Sequence, residues 1–392
     1  MAVTKITDEN IVDVDASKLV GSFGTLDGSN LTNVPIGKSV TKATSDPTQE
    51  TNPADGVGTL YLNTSSGELF CCVDATTDYN VWKNTGLGTT ETIQPYVYTF
   101  GGTVSGYVAG GWMNGYASSI ESISFTSDGS SQAVSGALST ASYAHANAQS
   151  TTHGYVMGGF SGTPALSQID KYDFSSTNNS VTVANLAVTN DDPTGNNSST
   201  HGYSANGRDT GSWPATNNIE KFAFASDSTT SGHGTTVLAS MSQAGQSSAT
   251  HGYCSGGHTG SSSTNNIDQY SFASEGQAVT YTTMSAPQFY FCGHSSETDG
   301  YNSGGSYNTG TNIIEKFSFS SGSGSSDHGD LSYAKFGNAG NSSTANGYSS
   351  GGGKNGSEDS NTIEKFSFES NAGSSNIGNL SAKRLYASGI HY

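Results

Sequence analysis

The sequence predicts an all-β protein, a six-bladed β-propeller that follows a small β-rich N-terminal module. The first observation is a Gly-Tyr pair that recurs six times, and the second is an Ile-acid pair that recurs in the same register. The tyrosines are Tyr107, Tyr155, Tyr203, Tyr253, Tyr301 and Tyr348. The acids are Glu121, Asp170, Glu220, Asp268, Glu315 and Glu364. A repeat of about 48 residues is long enough for four short strands, and four-stranded sheets repeated radially make a propeller.

Each repeat divides into four strands, a to d, with strand a before the Gly-Tyr pair and strand c at the Ile-acid pair. Alternating side chains, as in residues 172–174, indicate a strand. Because Asn-Gly and Asp-Gly favour two-residue turns with positive φ, we expect the glycine of the Gly-Tyr pair in the a–b turn. The glycine pairs after strand b predict positive φ or close backbone approach, and Asn206-Gly207 takes this place in the third repeat.

Two repeated features predict the packing of the sheets. A phenylalanine follows each Ile-acid pair, and we expect burial between neighbouring blades for Phe174, Phe224, Phe272, Phe319 and Phe368. The acid occurs in every repeat, whereas a catalytic acid is needed only once or twice. We therefore assign the acid an architectural role, such as a repeated hydrogen bond or an ion pair between blades. Residues 96–100 and 384–390 both align with strand a of the first blade, and of these two we expect the C-terminal stretch to complete it.

The chain before residue 95 has a different character. Residues 1–40 carry sparse apolar positions and predict a stalk or attachment segment. Residues 41–94 predict a linker followed by a small β-hairpin module, with strands near residues 60–62 and 69–73 around a turn at 65–67. Residues 95–392 hold the repeats.

The repeats resemble the kelch family of β-propellers, whose units carry Gly-Gly after strand b and an aromatic residue in strand c. The tryptophan expected late in a kelch unit is absent here. The run of residues 27–34, DGSNLTNV, resembles the N-terminal attachment and stalk segments of phage tail fibres. The hairpin segment, residues 58–84, resembles a small module common in phage fibre and appendage proteins. The motifs HGYxxGG and IDKFxF are similar to repeats in virion proteins of marine phages. These resemblances imply a virion appendage protein.

Composition excludes several classes of function. The formal net charge of −18 opposes nucleic-acid binding, which requires clustered Lys and Arg. No apolar run approaches the ~18 residues of a membrane helix, so we expect no membrane insertion. No secretory signal is visible, which fits synthesis in the host cytoplasm and assembly into a virion. Four cysteines without CxxC spacing predict neither a disulfide framework nor a zinc site.

Catalytic and metal-binding alternatives are weaker. His153, His201 and His251 share a turn position that Asp, Asn or Ser fills in other repeats, so we interpret them as structural. The non-repeated pairs Asp191-Asp192 and Glu358-Asp359 are expected to be solvated loop charges or calcium ligands. A glycosidase needs two carboxylates facing one sugar at roughly 5–10 Å, which adjacent loop acids rarely supply. We expect no enzyme activity and no cofactor.

The loops between strands b and c differ among the repeats and carry exposed aromatic residues beside polar ones. Aromatic faces suit the apolar side of sugar rings, and polar neighbours suit the hydroxyls. The alternative is that some of these rings only cover the ends of the blades. The predicted binding face comprises Trp112, Asn114, Tyr116, Phe160, Arg208, Asp209, Trp213, His258 and Tyr307.

These features together predict a non-enzymatic appendage protein that adsorbs to a host-surface glycan or protein. Its N-terminal region would contact other virion proteins and form a homo-oligomer, most simply a trimer. One alternative is a structural decoration or connector without a ligand. Another is an enzyme that degrades surface polysaccharide.

Overall fold

The computed structural model describes residues 40–85, 92–93, 101–162, 165–176, 178–209, 214–306, 310–354 and 359–392. The chain divides into two compact units, Met1–Val97 and Tyr98–Tyr392. Within the described ranges, every regular element is a β-strand, so the all-β prediction is confirmed. Residues 1–39, which hold nearly all of the predicted stalk, lie outside the described ranges.

The first unit contains one five-stranded sheet in the order β1-β2-β3-β4-β5. Its strands are β1 (Val40–Ala43), β2 (Leu60–Asn63), β3 (Leu69–Asp74), β4 (Val81–Asn84) and β5 (Thr92–Ile93). Strands β2 and β3 form the expected antiparallel hairpin, and β1 pairs in parallel with β2. Tyr61, Phe70, Cys72 and Trp82 form its buried core. The Tyr61 and Trp82 rings meet edge to face, with centroids 5.5 Å apart.

The second unit contains six further sheets that share four strands in the order a-b-c-d, and two of them carry a fifth strand beside strand d. The first is β31 (Ser388–His391), β6 (Ser105–Ala109), β7 (Ser119–Ser124) and β8 (Gln132–Ala137). The second is β9 (Ala146–Gln149), β10 (His153–Met157), β11 (Gln168–Asp173) and β12 (Val181–Asn185). The third is β13 (Thr194–Asn197), β14 (His201–Ala205), β15 (Asn218–Ala223) and β16 (Ser231–Thr235), with β20 (Gly276–Gln277) added beside β16.

The remaining three sheets follow the same plan. The fourth is β17 (Ala244–Ser247), β18 (His251–Ser255), β19 (Asn266–Ser271) and β21 (Val279–Thr283). The fifth is β22 (Cys292–Ser295), β23 (Asp299–Ser303), β24 (Thr311–Ser318) and β25 (Ser326–Phe336), with β28 (Gly353–Lys354) added beside β25. The sixth is β26 (Ala339–Ser342), β27 (Asn346–Ser350), β29 (Thr362–Ser367) and β30 (Ser375–Asn379).

The a-strands of the six sheets contact one another in sequence. Strand β9 contacts β13, β13 contacts β17, β17 contacts β22, β22 contacts β26, and β26 contacts β31. Strand β31 in turn contacts β9. It also pairs antiparallel with β6, so the prediction that the C-terminal stretch completes the first sheet is confirmed.

The repeated acid joins neighbouring sheets, as expected. The backbone N–H of Ser139, after the first sheet, donates to Asp170 Oδ2 of the second at 2.8 Å. Ala187 N–H likewise donates to Glu220 Oε2 at 2.9 Å. Ser381 N–H, after the sixth sheet, donates to Glu121 Oε2 of the first at 2.8 Å. The acid therefore satisfies a backbone donor of the preceding sheet.

The glycine of the Gly-Tyr pair is not in a turn, and that prediction is wrong. Strand β10 already begins at His153, and none of these six glycines has positive φ. A Cβ at Gly202 would lie 2.4 Å from the Phe222 ring on the facing strand, and one at Gly154 would lie 2.5 Å from the Tyr172 ring. Glycine is required here because an aromatic side chain lies directly over the backbone.

The burial prediction for the repeated phenylalanines is only partly right. Phe368 is buried, but the half-buried members are Phe174, Phe224, Phe272 and Phe319. Each stacks on the tyrosine of a neighbouring sheet, as Phe224 does on Tyr155 with centroids 4.9 Å apart. The fully buried aromatics lie two residues earlier, at Tyr172, Phe222, Tyr270, Phe317 and Phe366.

Candidate functional site

Six residues, each just before an a-strand, form a cycle of backbone hydrogen bonds around which the candidate site lies. Its members are Ala144, Asp192, Ser242, Tyr290, Gly337 and Tyr386. All six have left-handed backbone, with φ between 53° and 63°. Each N–H donates to the carbonyl of the preceding member at 2.7–3.1 Å, and Ala144 N–H closes the cycle by donating to Tyr386 O. We call these residues the six-residue ring.

The b–c loops begin beside this ring. The glycine pairs that introduce them have positive φ, as predicted, and Asn206 with φ 61° replaces glycine in the third sheet. The residue after each pair meets the residue that precedes a ring member. Thus Trp112 bridges Leu385, Phe160 bridges Tyr143, Arg208 bridges Asp191 and His258 bridges Met241. Residues from distant parts of the chain therefore meet at one end of the a-strands.

The first part of the site is an aromatic cluster from the first two sheets. Trp112 packs edge to face on Tyr116, with centroids 5.4 Å apart. Tyr116 stacks on Tyr143 at 5.8 Å with nearly parallel planes, and Phe160 lies 5.7 Å from Tyr143. Tyr116 remains 40% exposed, so this cluster presents an aromatic surface to solvent.

The second part is a cavity of ≈ 440 Å³ that adjoins this cluster. Its lining consists of Tyr143, Asp192, Arg208, Met241, His258, Phe289, Tyr290 and Tyr386. We call it the aromatic cavity. Four of the eight lining residues are tyrosine or phenylalanine, and the imidazole of His258 is a fifth aromatic ring. The volume is within the range of small-molecule sites, about 300–1,000 Å³.

The prediction that Asp191 and Asp192 are solvated loop charges is wrong. Both are buried. Arg208 Nη2 lies 2.5 Å from Asp191 Oδ2 and 3.4 Å from Asp192 Oδ2. The guanidinium group of the third b–c loop therefore compensates Asp191 more closely than Asp192, and Asp192 lines the cavity.

Burial and neighbouring charge shift several acids in this region. Desolvation and the nearby Asp191 raise the pKa of Asp192 to about 7, against the opposing effect of Arg208. Desolvation, Asp191 and Asp192 raise the pKa of Tyr143 to about 12. Desolvation and Asp192 also raise the pKa of Tyr290. When they are ionised, the two carboxylates impose a negative potential on the cavity.

The structure places most of the predicted site residues at this end. Asn114 is exposed with φ 60°, and Asp209 is exposed and accepts a hydrogen bond from Thr189 Oγ1 at 2.7 Å. His258 Nδ1 accepts from Gly260 N–H at 3.0 Å, and its ring centroid lies 5.0 Å from that of Phe289. Trp213 and Tyr307 lie outside the described residues.

Sequence reasoning missed four aromatic residues of the site, namely Tyr143, Phe289, Tyr290 and Tyr386. They precede the a-strands and so lie outside the b–c loops, from which the binding face was predicted. A signal was present: when the repeats are aligned, the two positions before strand a vary as strongly as the loops do, and four of the six repeats carry aromatic residues there.

Other polar clusters have structural explanations. The Nδ1 atoms of His153, His201 and His251 are 2.7–2.8 Å from the hydroxyl of the preceding threonine. Cys292 Sγ lies 3.3 Å from His294 Nε2. Burial raises the pKa of that thiol to about 11 and lowers the pKa of the imidazole to about 4. Both groups are therefore neutral near pH 7, unlike an activated thiolate pair.

Neither the protein-family models nor the curated proteins include a match to this chain. Within the described ranges, no group of three or more His, Cys, Asp or Glu side chains is arranged to hold a metal ion. The same ranges contain no helix long and apolar enough to cross a membrane.

Proposed function

We propose that this chain is a non-enzymatic virion appendage protein that uses a six-bladed, kelch-like propeller to bind carbohydrate on a host surface. The aromatic cavity is the observation that carries the proposal. Aromatic rings stack on the apolar faces of sugars, and Asp192, Arg208 and the tyrosine hydroxyls offer hydrogen-bonding partners for the sugar hydroxyls.

Two cycles support closure of the six sheets into a propeller. The a-strands contact one another in an order that returns to its start, and the backbone hydrogen bonds of the six-residue ring do the same. Because β31 pairs with β6, the first sheet combines strands from the beginning and the end of the repeat region. Such an arrangement would hold the variable loops together at one end while the shared residues form the sheets.

The binding proposal predicts that removing two rings from the cavity weakens adsorption. Tyr290→Ala with Tyr386→Ala should reduce cell binding by the purified full chain about tenfold, since aromatic contacts contribute roughly 0.5–1.5 kcal/mol each. Alanine already occupies an equivalent position at Ala144, so the backbone should accept it. Cell binding and Tm are measured for both proteins.

The matched control is Tyr79→Ala, which removes an exposed aromatic ring, 52% accessible, from the other unit. This variant should adsorb normally. Unchanged adsorption by the double variant would move the site away from the cavity. A wild-type chain that binds neither cells nor glycans would favour the structural-decoration alternative, and release of reducing sugar would favour the enzyme.

We also propose that the N-terminal region attaches the protein to other virion proteins and forms a homo-oligomer, most simply a trimer. This proposal rests on the sparse apolar positions of residues 1–40 and their resemblance to fibre stalks. The full-length chain should sediment at about three times its monomer mass of 40.2 kDa. A monomer at micromolar concentration would contradict it.

A further inference from the structure

The walls of the aromatic cavity form a continuous strip of rings. The Tyr143 and Tyr386 centroids are 5.9 Å apart, Tyr386 and Tyr290 are 4.9 Å apart, and Tyr290 and Phe289 are 4.9 Å apart. Ring faces carry negative partial charge and attract organic cations. This lining would accept a neutral sugar, but it would favour a positively charged group that also presents an apolar surface.

The fixed charges of the cavity point in the same direction. Asp191, Asp192 and Arg208 carry a formal charge of −1 together when both carboxyls are ionised. Arg208 lies closer to Asp191 than to Asp192, so the carboxylate that lines the cavity is the less compensated of the two. The Asp192 side chain is only 8% exposed, so water compensates its charge poorly.

The neighbouring titratable groups respond to this charge. Burial is the main cause of the raised pKa values of Tyr143 and Tyr290, and the carboxylates add to the rise. Burial and Asp191 together raise the pKa of Asp192 itself. A cation beside Asp192 would lower the free-energy cost of ionising this buried carboxyl group, whereas an anion would raise that cost. Arg208 is already engaged by both carboxylates, which disfavours it as the receptor of an anionic ligand.

We propose that the aromatic cavity binds an organic ammonium group carried by the host glycan, with Asp192 as its counter-ion and Tyr143, Tyr290 and Tyr386 as its walls. This inference rests on the proposed carbohydrate-binding function and specifies its ligand. The ammonium group has two possible sources. One is the free amine of a hexosamine, and the other is a quaternary ammonium substituent such as choline.

The test compares ligands that differ in charge, titrated into the full chain by calorimetry at pH 7. Glucosamine should bind about tenfold more tightly than glucose and N-acetylglucosamine, which have the same ring without the cation. Choline alone tests the quaternary source. Tighter binding of glucosamine than choline assigns the amine of a sugar, and the reverse order assigns the quaternary group; either order supports an ammonium site.

Asp192→Asn should reduce the preference for the ammonium ligand over its neutral counterpart to less than twofold. Asparagine tolerates left-handed backbone, so the six-residue ring should be retained, and Tm checks this. Glu297→Gln removes an exposed acid from an a–b turn and is the charge-matched control, with the preference intact. Should Asp192→Asn fail to fold, Tyr386→Ala provides the second variant and should weaken ammonium binding about fivefold or more.

The outcomes separate this inference from the function on which it rests. Equal affinity for glucosamine and glucose overturns the ammonium site while leaving carbohydrate binding intact. Preferential binding of glucuronate or inorganic phosphate also overturns it and assigns an anion to Arg208. Cell adsorption that depends on Tyr290 and Tyr386, without affinity for any ammonium ligand, overturns the inference alone. Absence of both adsorption and sugar binding overturns both proposals.

Discussion

Replacing Arg384 with alanine should lower the free energy of unfolding by about 3–5 kcal/mol, the cost of leaving one partner of a buried ion pair uncompensated. Arg384 and Glu121 are each 1% exposed, and Arg384 Nη2 lies 2.5 Å from Glu121 Oε1. Its other bonds reach Ser119 Oγ at 2.9 Å and Gly110 O at 3.1 Å. Arg384 therefore joins the C-terminal segment, just before β31, to strands of the first sheet.

The measurement is urea unfolding of the full chain, followed by far-ultraviolet circular dichroism. Lys383→Ala is the control, because it removes the same charge from the exposed neighbouring side chain and should change stability by less than about 0.5 kcal/mol. Glu121→Gln should also destabilise, since it leaves the guanidinium group buried. A loss below about 1 kcal/mol for Arg384→Ala would show that the segment is held by β31 pairing alone.

Features that recur in the repeats could be predicted from the sequence alone. Gly256-Gly257, the acid Asp170 and the C-terminal stretch were all placed correctly, because each reflects a constraint that recurs in every unit. The Asp170 carboxylate accepts a hydrogen bond from a backbone N–H of the preceding sheet. The acids of the other repeats occupy the equivalent position. A residue required by the architecture can therefore be recognised from repetition without knowing its partner.

Features that depend on which residues pair across neighbouring strands, or on a residue found in only one or two repeats, could not be predicted from repetition. Phe222 lies in β15 and Phe224 follows directly after its end, yet only Phe222 is fully buried, because Gly202 lies opposite it and leaves room for the ring. Only the pairing register reveals this difference. Lys335 and Arg384 each form a fully buried pair with the repeated acid, but the other repeats carry no cation at that position.

The candidate site was predictable only in outline. The variable b–c loops indicated the correct end of the sheets, but Tyr143 and Tyr386 meet although more than half of the chain separates them. Their proximity arises from the hydrogen-bonded cycle of the six-residue ring. Asp191 and Asp192 looked like loop charges because the sequence gives no sign that Arg208 lies against them.

The largest effect is expected from adding a single methyl group to the a-strands. A Cβ at Gly245 would lie 2.1 Å from the carbonyl oxygen of Gly195 on the neighbouring a-strand. Gly293 stands in the same relation to Gly245, at 2.2 Å. The obstructing atoms belong to the backbone, so no side chain can rotate away. Because the strands contact one another in a cycle, relief of one contact would compress the next.

Gly245→Ala should therefore cost more than about 3 kcal/mol, beyond the usual range for overpacking, or prevent folding altogether. Asn147 is the exception among the a-strands at this position. Its side chain fits, and its Nδ2 donates to Gly389 O at 2.8 Å. Asn147→Gly removes that hydrogen bond without adding a contact, and should cost only about 1 kcal/mol.

Soluble yield, circular dichroism and urea unfolding are compared for these variants and for Gly232→Ala. Gly232 lies in β16 with no atom within 4 Å of an added Cβ and without positive φ, so its substitution should be neutral or slightly stabilising. If Gly245→Ala unfolds at the same urea concentration as Gly232→Ala, the a-strands must be able to move apart. Close packing of the a-strands would then not be the cause of the fixed geometry of the six-residue ring and the aromatic cavity.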